Sequence, residues 1–174
     1  MKFAENKQKV TNKKYILNQA VAEKKLRRMA LEILENNADE KEIILAGIWE
    51  SGSVVATCIQ QMIAEFSPVK TQLIVITVDK KNPKEISLSH SIDFTEKVII
   101  VIDDVANSGR TVLYALKPFL DFYPKKIQTL VLVERRHNSF PVRPDYIGLS
   151  VATTLQENIC VEVDSEKVTG AYLE

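Results

Sequence analysis

The sequence predicts an α/β fold, a mostly parallel twisted sheet with helices on both faces. Two observations predict it. Short, nearly continuous apolar runs recur along the chain, as strands covered on both faces require. Stretches of about a dozen residues with helical spacing separate them, the pattern of strand–helix–strand units rather than hairpins. The 174 residues carry no repeat, low-complexity tract or linker, so a single domain over 1–174 is expected. A chain of this length can bury about 70% of its unfolded surface.

The first helical stripe is Leu26, Met29, Ala30, Ile33 and Leu34, and Asn36-Asn37-Ala38-Asp39 ends it. Ile43 to Ile48 reads as a strand, broken by Trp49-Glu50-Ser51-Gly52. A second stripe follows in Val55, Cys58, Ile59, Met62, Ile63 and Phe66. Strand-like runs return at Leu73–Val78, Val98–Ile102 and Leu130–Val133. Between the last two, Val112, Leu116, Phe119 and Leu120 mark a helix that Pro118 should kink or end early. Tyr146–Leu149 and Ile159–Val163 are shorter candidates. Residues 1–20 read as an N-terminal extension and 134–174 as a hood and C-terminal segment. In such sheets ligands bind at the carboxyl ends of strands near the switch point, so the residues after Ile48, Val78, Ile102 and Val133 matter most.

Composition is that of an ordinary globular protein, with 45% hydrophobic and 26% charged residues. No run approaches the roughly 20 apolar residues of a membrane span. The polar start Met1-Lys2-Phe3-Ala4-Glu5 lacks a signal-peptide core, so a cytoplasmic protein without membrane partners is expected. Two cysteines and two histidines make neither a disulfide framework nor an all-protein zinc site, so no metal held directly by the protein is expected. The net charge of +0 gives no global pull toward nucleic acid; Lys24, Lys25, Arg27 and Arg28 form the densest basic cluster.

The chemistry concentrates after the strand Val98–Ile102. Asp103 and Asp104 are followed by the small-residue turn Asn107-Ser108-Gly109, then by Arg110 and Thr111 opening a helix. Unpaired N–H groups and hydroxyls at such a turn favour a phosphate, and paired carboxylates accept bonds from sugar hydroxyls. A ligand carrying both a diol and a phosphate would suit it. A solvated strand end and a plain helix-capping turn would also account for these residues. Neither a G-x-G-x-x-G nor a P-loop pattern occurs.

The stretch Val98 to Thr111, VIIVIDDVANSGRT, closely resembles the phosphoribosyl-pyrophosphate motif of type I phosphoribosyltransferases, with Ser108 where threonine is usual. The resemblance implies that Asp103 and Asp104 hold the ribose hydroxyls of 5-phosphoribosyl-1-pyrophosphate (PRPP). It implies that Ala106, Asn107, Ser108, Gly109, Arg110 and Thr111 hold the 5-phosphate. Val131 to Gly148, with its acid-Arg pair, His137, Pro141, Arg143 and Asp145-Tyr146, looks like the same stretch of the bifunctional pyrimidine-operon regulators that double as uracil phosphoribosyltransferases. That implies a base pocket of Val105, Arg135, Arg136 and His137, with uracil as the base, magnesium bound through PRPP, and a homodimer. Asn107 stands where purine-salvage relatives usually carry an acid, which favours a pyrimidine.

Two departures bear on turnover. The pyrophosphate loop reads Trp49-Glu50-Ser51-Gly52. Glu50 puts a negative charge beside a polyanionic substrate, costing about 1 kcal/mol at 4 Å in water and several at lower dielectric. The segment Asp79 to Thr95, where relatives carry a longer lid, is short and offers Lys80, Lys81 and Lys84. A shortened lid threatens turnover more than binding, because water exclusion suffers first. Three readings follow: a uracil phosphoribosyltransferase, a nucleotide- or PRPP-binding regulator with weakened catalysis, and an RNA attenuator. RNA is not the favoured partner, since only the Lys24–Arg28 cluster offers a basic face.

Overall fold

The computed structural model describes residues 13–79, 82–83, 85–154 and 157–174. The main sheet has six strands. They are β2 (Glu42–Ile48), β3 (Lys70–Val78), β4 (Ile86–Leu88), β5 (Val98–Ala106), β6 (Lys126–Arg135) and β7 (Tyr146–Val151), in the order β4-β3-β2-β5-β6-β7. All neighbours pair parallel except β4, which lies antiparallel on β3. The fold is therefore the expected α/β arrangement.

The apolar runs are continuous because the central strands are covered twice. Ile43 and Leu45 of β2 join one core with helices α1 (Gln19–Asn36) and α2 (Ser51–Phe66). Ile44, Ala46 and Ile48 join the opposite core with Val112, Ala115 and Phe119. In β5, Val98, Ile100 and Ile102 face the first core while Ile99 and Val101 face the second. Period-two alternation thus sends every second residue to each side.

The helix α1 begins where Asn18 caps it, its Oδ1 accepting from Val21 N–H at 2.9 Å. Its buried stripe is Ala22, Leu26, Met29, Ala30 and Ile33. The third helix, α3, covers only Arg110–Ala115, and a 3₁₀ turn at Lys117–Phe119 takes in Pro118, the early end that proline imposes. Phe119 and Phe122 pack edge-on to Phe94, with centroids 4.9 and 5.2 Å away.

A second, antiparallel sheet in the order β1-β9-β8 joins the chain's ends. It comprises β1 (Lys14–Asn18), β9 (Val168–Leu173) and β8 (Ile159–Val163). Lys14–Asn18 lies inside the segment read as an N-terminal extension, and β8 and β9 lie inside the segment read as the hood. Cys58 is buried in the α2 face of the core, as its helical stripe predicts. Among the described residues no helix is long and apolar enough to cross a membrane. Two of the four cluster cations on α1 are already engaged: Arg27 pairs with Glu65 at 3.1 Å, and Arg28 pairs with Glu32 and donates to Ile147 O at 2.6 Å.

Candidate active site

The strand order fixes where a site can form. From β2 the chain runs outward to β3, then crosses back to place β5 on β2's other side, so the carboxyl ends of β2 and β5 meet at the switch point. Gly47 pairs with Ile102; the acid pair follows directly on β5, and after Ile48 the expected pyrophosphate loop is only Trp49-Glu50, with Ser51 and Gly52 already in the first turn of α2. A cleft of about 390 Å³ opens there. Trp49, Glu50 and Ser51 line one wall, Asp103 to Gly109 with Thr111 and Val112 another, and Ile159 to Val161 of β8 a third.

Close packing holds the two strand ends together at Gly52. A Cβ there would stand 2.8 Å from Ile102 O, 3.0 Å from Asp103 Cα and 3.1 Å from Asp103 Oδ1. Only glycine lets the first turn of α2 approach β5 this closely. Gly52 thus lies buried beneath the cleft rather than on its lining. Trp49 N–H donates to Ile76 O at 2.9 Å, which ties the loop to β3 as well.

Asp103 is 7% exposed, and its Oδ1 accepts from the N–H of Asp104 at 3.0 Å. Strand β5 extends through both acids to Ala106, so the carboxylates sit on a rigid element, not in a loop. The turn follows with Gly109 at φ 80°, a left-handed angle that other residues resist. Ser108 O accepts from Ser139 N–H at 3.1 Å and from Phe140 N–H at 3.0 Å, so the 138–142 loop braces the turn. Ser108 Oγ accepts from Arg110 N–H at 3.3 Å.

The expected residues do not all converge. Arg110 is exposed and off the cleft lining, its guanidinium 5.1 Å from the centroid of the Phe140 ring. Arg135 and His137 line a second hollow of about 380 Å³ with Ser139, Thr153 and Thr154, and it shares Asn107 and Ser108 with the cleft. Arg135 donates to Thr154 O. Arg136 borders neither the cleft nor this hollow; it faces a shallow depression with Glu134, Phe140 and Arg143. Val105 is on the cleft wall. Lys80, Lys81 and Lys84 lie outside the described residues.

No local pattern marks Ile159, Cys160 and Val161 as cleft residues, because β8 reaches the cleft only through its place in the second sheet. Burial pushes the Cys160 thiol up, and the Glu174 carboxylate nearby adds to the shift. Thr153 and Thr154 were equally silent, two polar residues past a predicted strand.

An acid pair on a strand end, a left-handed hydroxyl turn after it, and a glycine-closed loop opposite are what a ribose phosphate would need. Residues 13–166 match the phosphoribosyl transferase domain family. The chain belongs to that family. The bifunctional protein PyrR of Haemophilus ducreyi is 30% identical over 161 residues, covering 87% of this chain and 90% of the relative. That of Streptococcus pneumoniae is 31% identical over 156 residues, covering 86% and 90%. Among solved structures, the hypoxanthine phosphoribosyltransferase of Trypanosoma cruzi superposes with a TM-score of 0.76 at 13% identity, covering 92% of this chain and 95% of that one. A hypoxanthine-guanine phosphoribosyltransferase from Bacillus anthracis gives 0.68 at 18%, with 84% of each covered. These structures share the phosphoribosyltransferase fold, a coarser statement than a shared base.

Proposed function

We propose that the protein is a magnesium-dependent uracil phosphoribosyltransferase, forming UMP and pyrophosphate from uracil and PRPP. The observation that carries this reading is one cleft in which Asp103, Asp104, the turn residues 106–109 with Thr111, and Trp49–Ser51 meet. Asp103 and Asp104 accept bonds from the ribose hydroxyls. Backbone N–H groups and the hydroxyls of Ser108 and Thr111 take the 5-phosphate, and the 49–52 backbone faces the pyrophosphate. Carboxylates lining the cleft are hard oxygen donors of the kind magnesium takes one or two at a time beside phosphate oxygens. Bound magnesium supplies positive charge to the departing pyrophosphate. The chain's own contribution is positioning and fixed dipoles, because the C1–O bond largely breaks before the base attacks. The base sits in the hollow beside Asn107. A cytoplasmic homodimer belongs to the same reading.

Glu50 on the cleft wall supports a second reading, a nucleotide- or PRPP-binding regulator of pyrimidine metabolism with weakened turnover. UMP formation from uracil, PRPP and magnesium separates the two, with Asp104→Asn as control and calorimetric PRPP binding in parallel. Turnover that collapses in Asp104→Asn supports the enzyme. Binding without product across uracil and the purine bases supports the regulator, and Glu50→Arg should then tighten PRPP binding.

A further inference from the structure

The turn that follows the acid pair is held from outside the cleft. Ser108 O accepts from Ser139 N–H at 3.1 Å and from Phe140 N–H at 3.0 Å, two donors on one carbonyl. The Ser108–Gly109 peptide is trans, so its C=O and the N–H of Gly109 point opposite ways. Fixing the Ser108 carbonyl on the 138–142 loop therefore turns the Gly109 N–H away from that loop. Ser108 and Gly109 line the cleft, and Ser139 and Phe140 do not, so the N–H is turned to the cleft side. Among the described residues nothing accepts from it.

The loop is itself fastened. Val142 packs against the second core, and its N–H donates to Phe140 O at 2.8 Å. Asn138, partly buried, closes the loop from the other end, its Nδ2 donating to Val142 O at 3.0 Å. The Phe140 ring carries the Arg110 guanidinium, so the residue after Gly109 is pinned to the same loop. Gly109 packs on it too: a Cβ there would stand 3.5 Å from Phe140 O and 3.7 Å from Val142 O. A Ser108 carbonyl free to rotate would present its negative end to the cleft in place of the Gly109 N–H. An anion would then meet repulsion where it needs a donor.

We propose that the 138–142 loop, closed by Asn138, is the positioning element of the turn: it holds the Ser108 carbonyl outward and so aims the Gly109 N–H at a sugar phosphate. This role rests on the reading that the cleft holds a ribose phosphate. Asn138 and Phe140 act through the Ser108 peptide and border none of the cleft themselves. Strand order makes the arrangement possible, since β5 and β6 are parallel neighbours and the segments leaving their carboxyl ends lie side by side. The loop after β6 thus serves the turn after β5.

The test follows ribose 5-phosphate binding by calorimetry and by the amide signals of protein labelled with ¹⁵N-glycine. Three proteins are compared: the wild type, Asn138→Ala, and a protein with phenyllactate in place of Phe140, an ester that deletes the N–H and keeps the ring. At saturation the wild-type Gly109 amide proton should move downfield while those of Gly148 and Gly170 stay in place. Hydrogen bonds to charged groups are strong, so both variants should bind ribose 5-phosphate about tenfold more weakly. Their Gly109 displacement at saturation should also shrink. Binding with a stationary Gly109 signal in the wild type overturns the proposal and leaves the functional reading standing. So does wild-type affinity in either variant. Gly148 and Gly170 signals already displaced in the unliganded variants would make the loop a general support of the fold, which also overturns it. Failure of the wild type to bind ribose 5-phosphate and PRPP refutes the functional reading, and the role of the loop with it.

Discussion

Gly52→Ala tests whether close approach of α2 to β5 sets the geometry of the site. The added methyl would meet Ile102 O at 2.8 Å and Asp103 Cα at 3.0 Å. Ordinary contact begins near 3.4 Å, so the two backbones must part by about 0.6 Å. Both partners are main chain within a packed core, so neither can rotate away. Overpacking of this kind costs about 1–3 kcal/mol. For a domain of this size that lowers Tm by about 2–12 °C. The displaced atoms carry Asp103 and the 49–52 loop, so the same shift moves two walls of the cleft, and misplacement approaching 1 Å can cost about 100-fold in rate. Melting by circular dichroism and PRPP-dependent transfer per folded molecule would measure the two effects. Gly170→Ala serves as the comparison, since its Cβ would meet Leu17 O at 3.1 Å on the β1 side of β9, displacing neither Asp103 nor Trp49–Gly52 though β9 also pairs with the cleft strand β8. It should cost some stability and leave the rate per folded molecule within about twofold. Wild-type rate and Tm in Gly52→Ala would refute the argument that this contact positions Asp103.

Two further outcomes are expected. Phe94→Ala removes a fully buried ring that packs edge-on to Phe119 and Phe122, and should cost about 3–5 kcal/mol in urea unfolding without abolishing ligand binding below the midpoint. A cost under about 1 kcal/mol would mean the cavity collapses freely. Cys160 lines the cleft and its thiol pKa is raised by burial, so its alkylation should run slower than that of a free thiol at neutral pH, and its rate should keep climbing to higher pH. PRPP or UMP should protect it, and unprotected labelling at saturating ligand would place the ligand elsewhere.

Much of the fold was legible because the physics that decides it is local. Ile43–Ile48 and Val98–Ile102 are apolar on both faces, which no amphipathic edge strand would be, so a doubly covered parallel sheet follows from the residues alone. Pro118 could be read as the end of a helix because its missing N–H acts at its own position. The acid pair and the Asn107–Gly109 turn were legible for the same reason: strand, carboxylates, left-handed glycine and hydroxyls are contiguous, so the chain itself brings them together. Boundaries were less well determined. Strand β5 runs four residues past Ile102 to Ala106, because pairing with β6 continues through the acid pair, which interrupts the hydrophobic pattern, to Val105 and Ala106.

The sequence by itself determined the sheet, its covering helices and the turn after β5. Tertiary structure alone decided which distant segments share the cleft. Strand β8 reaches it through antiparallel pairing with β9, the Trp49–Ser51 loop through the return crossover from β3 to β5, and Thr153 through the hollow it shares with Asn107. Arg110, adjacent to the turn in sequence, stacks instead on Phe140, since a long side chain goes where an aromatic face and solvent both accept it. Periodicity encodes which way a residue faces, whereas contact between segments tens of residues apart depends on strand order, and no local pattern carries that.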